Sequence, residues 1–152
     1  MKVLVLLIGI GLAVLMTVER VQGALGEAEN SVTSDKKTLS TNRETTTAYD
    51  GYRVKQIDSD AVTVREYISP AGIVFAISWK GLIHPDLAPL LGAYAREYEA
   101  TLHQSTHQPG LRHLNVQTNQ IIVEKWGQMR NLQGRAYVPA LIPPGVNVDE
   151  IQ

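Results

Sequence analysis

The chain has 152 residues, 44 % of them hydrophobic and 19 % charged, with a formal net charge of −1. It contains no cysteine, which excludes disulfides, thiolate zinc sites, iron–sulfur clusters and a lipid-modified N-terminal cysteine. A near-neutral balance with no clustered basic face argues against nucleic acid or an anionic membrane surface as the main partner.

The first residues read as a transport address. Lys2 supplies a positive start, and Val3 to Val18 form an apolar run of 16 residues. As a helix this run covers about 24 Å, short of a hydrocarbon core of about 30 Å. Val21 and Gly23 put small side chains at −3 and −1, which suits cleavage between Gly23 and Ala24. We therefore expect residues 1–23 to be a cleavable signal peptide and the mature chain to be exported, periplasmic or secreted, with no membrane span. Losing Lys2, Arg20 and Glu19 reduces the 14 basic and 15 acidic residues to 12 and 14. With no disulfides such a domain depends on its core alone, and about 110 ordered residues suffice for one.

Residues 24–50 are polar, with a short helix expected from about Asn30 to Leu39, laying Val32 and Leu39 on one side. The stretch TNRETTTAYD then reads as a linker. From Tyr52 the texture changes to β. GYRVKQID alternates, Asp58-Ser59-Asp60 forms a turn, and AVTVREYI alternates again, with Val62, Val64, Glu66 and Ile68 on one face. Ser69-Pro70-Ala71-Gly72 is a second turn, since proline presets its φ and glycine accepts a positive one. GIVFAISW is apolar nearly throughout, which suits a central strand buried on both faces. Asp86 is placed to cap a helix whose first turn holds Pro89. Leu87, Leu90, Leu91, Tyr94, Tyr98 and Leu102 make one apolar stripe, so a single helix is expected from Leu87 to His103. Leu114 to Val116 suggest a short strand, and Ile121 to Trp126 with Gly134 to Val138 a hairpin turning around Gln128 to Leu132. Pro139, Pro143, Pro144 and Gly145 mark an extended tail. The expected class is α+β: an antiparallel sheet built from a three-strand meander, a helix and a hairpin, with one amphipathic helix on a face. The domain spans 51–146 and a tail 147–152.

Several segments carry a family likeness: ALGE after the leader, VREYISPAGIVFAISWKG, PDLAPLLGAYAREYE and GQMRNLQGRAYVPALIPPGV. On these the chain resembles the bacterial exported family catalogued as domain of unknown function 2844, from Ala24 to about Val146. The resemblance implies an exported bacterial protein and brings no activity and no site residues.

The polar side chains offer few candidates for chemistry. His103 and His107 are four apart, as a metal pair on a helix requires, but Pro109 and Gly110 end the helix, and His113 lies across a turn. Solvent-facing histidines are the simpler reading, and no metal or cofactor is expected. Ser69 sits in a turn, with no strained elbow and no nearby base, so it is expected to accept turn hydrogen bonds. Asp58 and Asp60 flank a turn for backbone reasons, and Glu66 is expected to face Lys55 or Arg53 across strands. Trp79, Trp126, Arg130, Arg135 and Tyr137 fall at strand ends and hairpin positions, where aromatic area and a forked cation suit a partner surface. Cross-strand packing with cation–π contacts explains the same residues structurally. Gly134 is expected to mark a bulge or a tight backbone approach. The leading expectation is a non-enzymatic exported module that binds an envelope or secreted protein, peptide or glycan. The alternatives are an enzyme or enzyme inhibitor with a site dispersed over Arg65, Glu66, His84 and Arg135, and a metal-binding protein using His103, His107 and His113.

Overall fold

Each alternating run of the sequence becomes a strand, and the strands join into one sheet. The computed structural model describes residues 25–28, 43–104 and 112–152. The expected leader with its Gly23–Ala24 cleavage bond, the short helix expected at 30–39 and His107 lie outside them. Four strands come first: β1 Arg43–Tyr49, β2 Tyr52–Asp58, β3 Val62–Ile68 and β4 Val74–Gly81. Helices α1 Leu87–Leu91 and α2 Ala95–Gln104 follow, joined by a 3-10 turn at Gly92–Tyr94. Strands β5 His113–Gln117, β6 Ile122–Gln128 and β7 Asn131–Tyr137 complete the set. All seven pair antiparallel in the order β1-β2-β3-β4-β7-β6-β5. The class is α+β, as expected, but the sheet is larger than three strands and a hairpin.

The apolar strand β4 is central and buried from Val74 to Trp79. The threonine-rich stretch read as a linker is β1. It pairs with β2 so that Tyr49 faces Tyr52 across a two-residue turn, Asp50-Gly51, in which Gly51 takes φ +81. All but one of its side chains are exposed, so it carries no apolar alternation. Threonine's β-branch and the pairing with β2 hold it extended instead. The expected single helix is interrupted at Gly92, whose φ of +52 ends α1. Asp86 caps α1 as expected, its carboxylate accepting from the Ala88 N–H at 3.0 Å. The last hairpin turns on Met129-Arg130 alone, tighter than the expected loop.

Two layers cover the sheet. On one face Ile57, Val64, Ile77 and Trp79 pack against Leu87, Leu90, Leu91 and Tyr98 of the helices. Leu25, from the segment read as polar, is buried there too, its N–H donating to the Leu90 carbonyl at 3.1 Å. On the other face Tyr67, Phe75 and Tyr137 meet Ile151. That side is covered by the C-terminal stretch, which crosses it through 3-10 turns at Pro139–Leu141 and Val148–Glu150. The proline-rich tail is therefore the second covering layer.

Candidate functional site

The end of the tail is fastened to β3. The Tyr67 hydroxyl donates to the Gln152 carbonyl at 2.9 Å and accepts from the Gln152 N–H at 3.0 Å. Arg65 donates to the same carbonyl from Nη1 at 2.6 Å and to Gln56 Oε1 from Nε at 2.9 Å. Gln56 in turn donates to both Asp58 oxygens, and the Thr63 hydroxyl to one of them at 2.8 Å. This polar ladder follows from the two-residue period of β2 and β3, which puts Gln56, Asp58, Thr63, Arg65 and Tyr67 on the side away from the helices.

The fastened tail divides this face into two open clefts. The first, of about 710 Å³, lies over β1–β3 and is bounded by Asp149, Glu150 and Gln152. Its floor carries Arg43, Thr45, Thr47 and Tyr49 from β1 beside Tyr52, Val54, Gln56 and Asp58 from β2. Tyr49 stacks on Tyr52 with ring centroids 5.1 Å apart and planes 9° apart. The Tyr52 hydroxyl donates to Glu150 at 3.2 Å. Burial, then that bond to a carboxylate, pushes its pKa up to about 12.

The second cleft, of about 530 Å³, lies between the tail and β5–β7 and is lined by His113, Glu124, Trp126, Gln133 and Arg135. Arg135 sits at its centre. Its Nε donates to Glu124 at 2.5 Å and its Nη1 to the Val148 carbonyl at 2.8 Å. Its guanidinium carbon lies 5.9 Å from the Trp126 ring centre and 5.8 Å from that of Tyr137. Burial first, and Glu124 next, hold the Tyr137 hydroxyl above its ordinary value of 10.0.

The structure thus brings together Trp126, Arg135 and Tyr137, three of the five aromatic and arginine residues singled out from sequence. Trp79 is buried on the opposite face, where its indole N–H donates to Nδ1 of His84 at 2.9 Å. Arg130 is exposed at the tip of the β6–β7 hairpin with φ +67. His103 and His113 are exposed. Among the described residues no three His, Cys, Asp or Glu side chains gather as metal ligands. The Ser69 hydroxyl accepts from the Ile73 N–H at 3.2 Å, the turn role expected of it. Lys55 stands opposite Glu66 in the β2–β3 register, yet its ammonium reaches Glu44 of β1 at 2.9 Å.

Sequence reasoning passed over Tyr49, Tyr52, Tyr67 and the fastening end of the tail. The signal available was Asp50-Gly51, a hairpin pair set between two tyrosines. A family model described as protein of unknown function (DUF2844) matches residues 21–151. No curated protein and no solved structure matches the chain.

Proposed function

The chain belongs to the DUF2844 family, and we propose that it works as a non-enzymatic exported binding module, engaging an envelope or secreted component through the face crossed by its tail. The observation that carries this reading is the pair of clefts flanking Asp149–Gln152. Both are open, and both present aromatic rings beside groups able to form hydrogen bonds. Concave surfaces with aromatic area and a few fixed polar groups are where ligands and partners find most of their binding energy. Arg135 is engaged inside the fold by Glu124 and Val148, so in this reading it fixes the rings around it while Trp126 and Gln133 supply contact. The exported part of this proposal rests on the expected leader, and requires that the protein recovered from its native source begin near Ala24.

The test is affinity capture from envelope extracts, with Trp126→Ala and Tyr49→Ala as separate variants of the bait. One component recovered in stoichiometric amount, and lost with either variant, supports the module. Capture unaffected by both removes this face from consideration. Intact Met1 in a cytosolic fraction removes the compartment.

A further inference from the structure

We infer that the cleft over β1–β3 is a binding site for a neutral oligosaccharide. This deepens the binding-module reading by giving one of its two clefts a ligand class. Part of the polar lining of this cleft is already occupied. On β2 and β3 the polar side chains facing the cleft are satisfied within the fold: Gln56, Asp58 and Arg65 bond to one another, to Thr63 or to the tail. On β1 the matching row is Arg43, Thr45, Thr47 and Tyr49. No side-chain hydrogen bond from any of these four is found among the described residues, and all four are exposed. The strand therefore presents a line of uncommitted hydroxyls and one guanidinium, with alternate residues about 7 Å apart.

At the end of that line Tyr49 is 54 % exposed. Its inner ring face rests on Tyr52, so its position is held. Its other face is left for a ligand. A pyranose offers a flat patch of C–H bonds to such a ring and a rim of hydroxyls to donors and acceptors at its side, and this is the pairing the cleft provides. The charges favour a neutral chain. Arg43 and Arg65 face three carboxylates, those of Asp58, Asp149 and Glu150. A polyanion would meet more repulsion than attraction there, and nucleic acid needs a clustered basic groove. A peptide adding to the sheet would use the edge of β1 and gain specificity from pockets for alternate side chains. The row of threonine hydroxyls on the face is of no use to it.

The experiment titrates the full chain with tetramers of β-linked glucose and of β-linked N-acetylglucosamine, with tetragalacturonate as the acidic comparison. It is read by calorimetry and by amide shifts of Thr45 and Thr47. A neutral tetramer should bind saturably and shift those two amides. Tyr49→Ala should weaken binding about tenfold, a loss on the scale of one well-placed contact residue. Thr47→Val, which keeps the β-branched shape and removes only the hydroxyl, should weaken it about threefold or more. Both sites are exposed, so the melting temperature should stay within about 2 °C of the parent, as for ordinary surface substitutions. Failure of both neutral tetramers to bind overturns the assignment, as does preference for tetragalacturonate or binding indifferent to Tyr49→Ala. Should the tetramers fail while Trp126→Ala still abolishes partner capture, the module reading survives and the glycan assignment alone falls.

Discussion

The indole N–H of Trp79 donates to Nδ1 of His84 across 2.9 Å, with the two rings nearly perpendicular at 83°. A protonated imidazole has no lone pair at Nδ1, so this bond exists only while His84 is neutral. Burial, and then the positive charge of Lys125, hold the imidazole below its ordinary pKa of 6.5. Between the folded and unfolded values the unfolded chain binds more protons, so stability rises with pH across that window. The contribution is complete above about pH 6.5 and declines as the pH falls through and below it. Urea midpoints measured from pH 7.5 down to pH 5 should therefore fall. His84→Asn, which keeps an acceptor near the Nδ1 position, should flatten the slope. Lys125→Gln should raise the His84 pKa and confine the loss to a lower fraction of its extent. A parent profile no steeper than that of His84→Asn contradicts the assignment.

Gly134 and Trp79 make a second pairing, across β7 and β4. A Cβ on Gly134 would overlap the Trp79 benzene ring and lie 2.6 Å from the Glu124 carbonyl oxygen. Backbone and a buried indole have little room to yield, so Gly134→Ala should destabilise by about 1–3 kcal/mol, the ordinary cost of overpacking. Trp79→Phe removes the overlapping ring while leaving an aromatic core residue. Combined with Gly134→Ala it should cost less than the two singles added, by about 0.5–3 kcal/mol of coupling. Additive losses in chemical denaturation would place the strain elsewhere.

The same glycine shows what the sequence made legible. A glycine amid β-forming residues indicates close approach, but which side chain approaches depends on register, and register is a property of the assembled sheet. Strand β3 was readable because it buries apolar residues at a period of two, β4 because it is buried along most of its length, and β2 because Tyr52 and Val54 alternate with Arg53 and Lys55 in the sequence. Strand β1 was not, because an edge strand exposed on both faces has no apolar pattern to read. The helix was legible as a stripe but not as two pieces, since the stripe continues through Gly92 while the backbone does not. The first cleft was the least legible part. It joins β2 and β3 to the tail through bonds such as Tyr52 to Glu150, 98 positions apart, and Tyr67 to Gln152, 85 apart, and no local pattern announces such pairings.

Arg135 fastens the tail from the side of β7. Arginine's planar fork lets one side chain serve Glu124 and the Val148 carbonyl at once. Both partners of the ion pair are mostly buried, with side-chain exposures of 18 % and 16 %. Arg135→Ala leaves Glu124 without its cation and Val148 without its donor, a loss of about 1.5–3 kcal/mol for charged hydrogen bonds in such a setting. Arg135→Lys should recover less than half of it, because an ammonium cannot reach both acceptors in one plane. Amide exchange separates this from general destabilisation: the Glu150 and Ile151 amides, which bond to the Asn147 and Val148 carbonyls, should exchange faster than those of β4. Uniform acceleration across the sheet would count against a local latch.

Ile151 fastens the tail by a different means. Its side chain is fully buried against Tyr67 and Phe75, one residue before the Gln152 main chain that Tyr67 holds. Truncation to alanine removes buried methylene groups and leaves a cavity, at a cost of about 2–5 kcal/mol for such sites. The clefts on either side let the neighbouring chain settle inward, so Ile151→Ala should fall in the lower half of that range. Tyr67→Phe keeps the ring and removes one hydroxyl shared by Gln152 and Ser78, which should cost about 1 kcal/mol. Because Ile151 and Arg135 act on one short segment, the tail released by the first substitution no longer needs the second contact. Ile151→Ala with Arg135→Ala should therefore cost less than the sum of the singles, by about 0.5–3 kcal/mol. Equilibrium urea unfolding of the four chains measures the difference directly. Strict additivity would mean that the two anchors hold independent parts of the molecule, and the tail could not then be a single strap between the clefts.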